Sequence, residues 1–205
     1  MDSRTPPARI TLISHAPTLA LRRASFPADE ALSDGEAEKI TSLQWSAPRC
    51  QHVWCAPERR TRQTAHALGL QPESAVELAD LDYGTWSGQD IGALHASNPA
   101  HVGVWLSDPQ SAPHGGESLT RLIARVGQWM AGHTGGGHTL AVTHPAWIRA
   151  AILCVLSAPP ESFWKVEVVP LSLTDLRFNG RVWTARSIGC KLRGPVIKVP
   201  RAPLT

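Results

Sequence analysis

The sequence predicts an α/β domain built on a mostly parallel sheet, and two observations carry that prediction. Short apolar runs, "ARITLIS", "QHVWC" and "HTLAVTH", alternate with segments whose apolar residues recur at helical spacing. A late run of strand-like residues then closes on a hairpin signal. The three early runs are short and apolar, as expected of strands covered on both faces.

The first run, "ARITLIS", passes directly into "HAPT", so a buried strand carries His15 to its carboxyl end. That is the edge at which ligands collect in parallel sheets. After "QHVWC" comes "PERRTRQTAHALG", with Pro57 placed for the first turn of a helix and Gly69 as its stop. Its Arg59, Arg60 and Arg62 cluster at a helix start, where amide donors and the helix dipole favour an anion. "LADLDYGTWSG" puts Asp80 and Asp82 in a glycine-containing loop, where a carboxylate would act as an acid. "ESLTRLIARVGQWM" carries Leu119, Leu122, Ile123, Val126 and Met130 on one helical stripe. "HTLAVTH" ends on His144 and leads into the helical pattern "PAWIRAAILCVL". In "VEVVPLSLTDLRFNGRVWTARSI" the last two strand-like runs meet at Asn179-Gly180, a strong hairpin signal. Two strands therefore end in, or lead into, a histidine.

The bulk properties set limits on partners. The 205 residues read as a single domain over residues 1–205, with irregular tails at 1–7 and 192–205. The net charge of +3 is too small and too scattered to argue for nucleic acid, though it suits a small anionic substrate. No apolar run approaches the roughly 20 residues of a membrane span, and "MDSRTPPARI" lacks the apolar segment of a secretory signal. The expectation is a cytoplasmic protein. Four irregularly spaced cysteines agree with a reducing compartment. "CQHVWC" holds His52 between two cysteines, but no second ligand pair follows at metal-site spacing, so neither a metal nor a cofactor is expected.

These motifs, in this order, resemble the histidine phosphatase superfamily, the phosphoglycerate-mutase-like proteins, from about Arg9 to Ile188. "ITLISHAPT" is similar to the family's strand followed by Arg-His-Gly-x-Thr. "CAPERRTRQTAHAL" resembles its Ser-Pro-x-x-Arg-Ala-x-Gln-Thr-Ala helix, and "LADLDYGTWSG" its acid loop ahead of a Gly-x-Trp-x-Gly turn. "GGESL" and "AVTHPAWIRAAI" resemble its Gly-Glu-Ser segment and its second-histidine strand and helix. The resemblance implies a three-layer α/β/α fold and a metal-free phosphomonoesterase working through phosphohistidine on a small phosphorylated metabolite. It implies His15 as nucleophile, Arg60 on the phosphate, Thr18 either on a phosphate oxygen or merely capping the loop, His144 stabilising the phosphate's charge, and Asp80 as the acid. A phosphoglycerate-mutase-type phosphotransferase is the neighbouring reading, although such mutases tend to be longer.

One position departs from the family. Where its arginine forks onto the phosphate, this chain has Ser14, and the next glycine is Ala16. Serine cannot mimic a guanidinium. Three outcomes stay open: Arg22 or Arg23 swings into the gap; Ser14 contacts a different kind of substrate; or the site is degenerate and binds an anion without turning it over. Around this set, Glu117 reads equally as pocket lining or helix-start carboxylate, His114 as an exposed loop residue, and Arg149 as a structural brace.

Overall fold

The computed structural model describes residues 7–192; the expected tails lie outside that range except for Pro7 and Leu192. Six strands form one sheet: β1 (Ala8–Ser14), β2 (His52–Cys55), β3 (Glu73–Ser74), β4 (Gly137–Thr143), β5 (Ser172–Phe178) and β6 (Trp183–Lys191). Their order is β3-β2-β4-β1-β5-β6. The first four are mutually parallel, and β5 and β6 join antiparallel at the β1 edge. β1 and β4 are thus central neighbours, and the histidines that follow them emerge side by side at one edge.

Among the described residues, seven α-helices accompany the sheet: α1 (Leu19–Arg22), α2 (Glu36–Ser42), α3 (Arg59–Ala67), α4 (Ile91–Ser97), α5 (Pro99–Ser107), α6 (Leu119–Gly132) and α7 (Pro145–Leu156). Side chains of β1 and β4 alternate between two apolar layers. Ile10, Leu12 and Ala141 join α6 and α7 residues such as Leu122, Val126, Trp147 and Ile148. Ile13, Leu140 and Val142 meet Ile40 of α2 and Ala65 of α3 on the other face. This two-sided burial makes the strand runs apolar throughout.

Some boundaries differ from the sequence expectation. α3 starts at Arg59, with Glu58 extended (ψ 151°) as its N-cap, so Pro57 lies before the helix rather than in its first turn. Gly69 does take the left-handed conformation (φ +73°) that stops the chain after α3. The strand-like run Val166–Leu171 lies outside any strand: a 3₁₀ segment ends at Lys165, Leu171 has φ +54°, and β5 begins at Ser172. The Asn179-Gly180 hairpin is present, with the Asn179 side chain accepting from the amides of Arg181 and Val182.

The acid loop is held by a backbone clasp. Glu117 N donates to Asp82 O at 2.8 Å, and Thr85 N donates to His114 O at 2.9 Å. A Cβ on Gly116 would lie 2.1 Å from Asp82 O, closer than any carbon can approach. Gly116→Ala is therefore expected to cost about 2 kcal/mol or more of stability by forcing the loops apart. Urea unfolding measures it directly; an unchanged midpoint would mean that the clasp yields freely.

Candidate active site

Three of the site's residues follow adjacent parallel strands. His15 comes directly after β1, His144 after β4, and Arg60 lies in the first turn of α3, after β2. The chain past β3 supplies Asp80. The register Ser14↔Thr143 aligns the two central strand ends, and His15 N donates to Thr143 O at 3.0 Å. The side chains meet: Arg60 Nη2 donates to Asp80 Oδ2 at 2.7 Å, that same oxygen lies 3.3 Å from His144 Nδ1, and the His15 and His144 ring centroids are 5.2 Å apart.

The tautomer of His15 follows from its contact. Nδ1 sits 2.7 Å from Ala16 O, and a carbonyl can only accept, so Nδ1 carries the proton and Nε2 keeps its lone pair. Burial, with the charges of His144 and Arg60 added, pushes the pKa of His15 from 6.5 down to about 3. The ring is therefore neutral near pH 7, with the unshared pair of Nε2 left available.

Glu58 is a site residue that the sequence reading did not single out. Its Oε2 lies 2.8 Å from His144 Nε2, and its Oε1 accepts from Asp80 N at 3.0 Å. Burial opposes its ionisation, but the hydrogen bond and charge of His144, with the Asp80 amide, outweigh it and hold the carboxyl at about 2. The ionised carboxylate keeps the Nε2 proton in place and leaves His144 Nδ1 turned toward Asp80. In the sequence Glu58 is an ordinary helix-start carboxylate; in the structure it makes no capping bond at α3, because it is committed to His144 and the Asp80 amide. Glu58→Gln is expected to lower turnover about 10- to 100-fold, the usual effect of losing the partner that orients a working imidazole. Steady-state kcat with a melting curve as control checks this; unchanged kcat would leave Glu58 with a packing role only.

Arg125 braces the acid loop from below. It donates to Glu77 O, Ala79 O and Asp80 O and pairs with Glu117 at 2.8 Å. Glu117 thus supports the loop and does not line the cavity over His15. His114 is 1 % exposed rather than a surface residue, packing on Trp86 while its Nδ1 accepts from Gly116 N.

A cavity of about 200 Å³ opens over His15, with Thr18, Asp80, Tyr83 and Arg149 in its wall. Thr18 both lines it and caps α1 through Leu21 N. Arg60 and His144 sit behind this wall, 2 % and 0 % exposed. Asp80 and Tyr83 also border an adjoining cleft that includes Arg60 and Glu58.

Two of the three expectations around Ser14 need correction. Arg22 and Arg23 do not fill the space of the family's arginine. Arg22 pairs with the buried Glu36 at 2.7 Å while half of its side chain stays in solvent, and exposed Arg23 is the C-cap of α1. Neither lines the cavity. Nor does Ser14 reach it: its side chain is fully buried and its hydroxyl has no partner among the described residues. The position holds no substitute contact to phosphate.

Comparison with known proteins places these features. A model of the histidine phosphatase superfamily (branch 1) matches residues 10–191. A bifunctional protein of Mycobacterium tuberculosis is 25% identical over 189 residues, 86% of this chain and 52% of that protein. The chain spans about half the length of the first curated relatives it matches. A glucosyl-3-phosphoglycerate phosphatase of Mycolicibacterium vanbaalenii is 27% identical over 177 residues, covering 77% of this chain and 78% of the relative. Among solved structures, a putative alpha-ribazole-5'-P phosphatase from Escherichia coli superposes with a TM-score of 0.78 at 21% identity, covering 92% of this chain and 98% of that one. At that identity the likeness speaks for the fold alone. The family match spans nearly the whole described chain, and with it the chain belongs to the histidine phosphatase superfamily.

Proposed function

We propose that this chain hydrolyses small phosphomonoesters through a phosphohistidine on His15. The observation that carries the reading is the free Nε2 of a buried, neutral His15, fixed by the Nδ1–Ala16 contact beside Arg60, Asp80 and His144. In the first step Nε2 attacks phosphorus, the ester P–O bond breaks, and protonated Asp80 donates to the departing oxygen. In the second step Asp80 takes a proton from water, whose oxygen attacks phosphorus and breaks the P–N bond. Arg60 and His144 balance the charge of the transferring group, side chains taking the place a metal holds in other phosphatases. Arg60 donates to Asp80, so a substrate phosphate would compete for the same guanidinium.

The relatives support this class of reaction, since those named for an activity include phosphatases for glucosyl-3-phosphoglycerate and phosphoserine. The cavity of about 200 Å³ suits a small metabolite and not a nucleic acid. Among the described residues no helix is long and apolar enough to cross a membrane. All four cysteines are free, which fits a reducing cytoplasm. The missing guanidinium at Ser14 predicts weak phosphate retention and favours release over the return transfer of a mutase.

The test is the fate of phosphate from phenyl phosphate, with EDTA and glycerol present. Release of inorganic phosphate is expected. Transfer to glycerol in place of release would favour the phosphotransferase, and phosphate binding with no turnover would favour a degenerate anion-binding site.

A further inference from the structure

His114 takes no part in the chemistry above, yet the acid loop rests on it. Its carbonyl oxygen accepts from both Thr85 N and Thr85 Oγ1, and a Cβ on Gly84 would lie 2.1 Å from that same oxygen. The imidazole closes its own segment into a turn. Gly116 N donates to His114 Nδ1 at 3.0 Å, and an amide can only donate, so Nδ1 is unprotonated and the neutral ring keeps its proton on Nε2. Nε2 is buried without a polar partner among the described residues. Around it stand the rings of Trp86, at 5.0 Å between centroids, and of Trp105 and Tyr83, each at 6.4 Å. A second proton on this ring would set an Nδ1–H against the Gly116 N–H and would charge a side chain that has no acceptor at Nε2.

We propose that His114 is a positioning residue for Asp80: its unprotonated Nδ1 holds the Gly116 turn against the acid loop, and protonation of the ring releases that loop. The inference rests on the phosphatase reading, with Asp80 as the acid, and adds a pH-dependent control of it. Two ties run from the turn to Asp80. Glu117 N holds Asp82 O, two residues along the loop, and the Glu117 carboxylate holds Arg125, which donates to Asp80 O. The titratable groups facing the ring are Asp82 and Tyr83 of the acid loop, and the Asp82 carboxylate is engaged by Gly84 N. Trp86 of the Gly84–Trp86 turn and Trp105 of α5 do not titrate, and Glu117 of the same segment is committed to Arg125. Burial lowers the pKa of His114 from its ordinary 6.5, with the charge of Asp82 opposing. The turn is therefore held fully above pH 6.5 and is lost as pH falls through the lowered value.

The test compares kcat on ethyl phosphate, whose leaving group needs the acid, with kcat on 4-nitrophenyl phosphate, whose leaving group does not. In the parent the ratio of the two is expected to fall about tenfold between about pH 7 and about pH 4.5. His114→Asn puts an amide oxygen where Nδ1 stands, and that oxygen accepts from Gly116 N at either pH, so its ratio is expected to stay constant. His114→Phe keeps a ring without an acceptor, and its ratio is expected to be low already at about pH 7, by about tenfold. An Asn variant that follows the parent on acidification, or a Phe variant that loses equally on both esters, would overturn the proposal. Amide NMR of the parent needs neither a variant nor turnover, and so separates this outcome from failure of the phosphatase reading. The Gly116, Glu117 and Thr85 amides are expected to shift together in one transition below pH 6.5. A Gly116 amide that stays in place down to about pH 4.5 would overturn the proposal even if the variants do not fold.

Discussion

His15→Ala is expected to lower hydrolysis of phenyl phosphate by about 10⁴-fold or more, the scale of removing a covalent nucleophile. The effect is large because no neighbouring group has the same opening to the substrate. The His144 Nε2 is bound to Glu58, and its ring is fully buried. The loss is chemical rather than structural, and pH separates the two. The pKa of His15 falls from 6.5 to about 3 on folding, so between those values the unfolded chain binds more protons than the native one. Stability from neutral His15 is full above pH 6.5 and is lost as pH falls toward 3, with a slope approaching about 1.4 kcal/mol per pH unit. The alanine variant should lack that slope while remaining folded at neutral pH. A variant within tenfold of the parent's kcat/KM would remove His15 from the chemistry.

The second large effect is that of Asp80→Asn, and it depends on the ester. With ethyl phosphate the departing alkoxide is a poor leaving group, and loss of the acid should cost about 10²–10⁴-fold. With 4-nitrophenyl phosphate the leaving group departs without help, and the first step should change far less. The placement of Asp80 sharpens the argument: its Oδ2 is 2.7 Å from Arg60 and 3.3 Å from His144, while Asp82 spends its carboxylate on Gly84 N. Asn retains an oxygen for Arg60 but cannot give up a proton. Equal losses on both esters would mean that Asp80 positions Arg60 and nothing more.

The legible parts of this protein are those where one strand or helix encodes its own place. "ARITLIS" is β1 residue for residue, and "PAWIRAAILCVL" is α7, because a fully buried strand and a proline-started helix each leave a continuous local pattern. His15, Arg60 and His144 could be found because parallel strands deliver their carboxyl ends to one edge. What the sequence hid depends on contacts between distant segments. Arg22 sits near His15 in the chain, yet it pairs with Glu36 of α2 and does not line the cavity. Glu58 looks like an ordinary helix-start residue until β4 brings His144 to it. Arg149 reads as a brace, and its Nε is one, but the loop before β5 turns the rest of the guanidinium toward the cavity. Ser14 marks a departure in sequence whose meaning is spatial: its hydroxyl is sealed inside.

The central claim is a covalent bond between phosphorus and His15. Rapid mixing with a ³²P-labelled ester, quenched in alkaline denaturant, measures it directly. The account predicts protein-bound label that survives alkali, is lost in mild acid, maps to the peptide containing His15, and is absent from His15→Ala. Turnover by the parent with no bound label, or label that withstands acid, would contradict it.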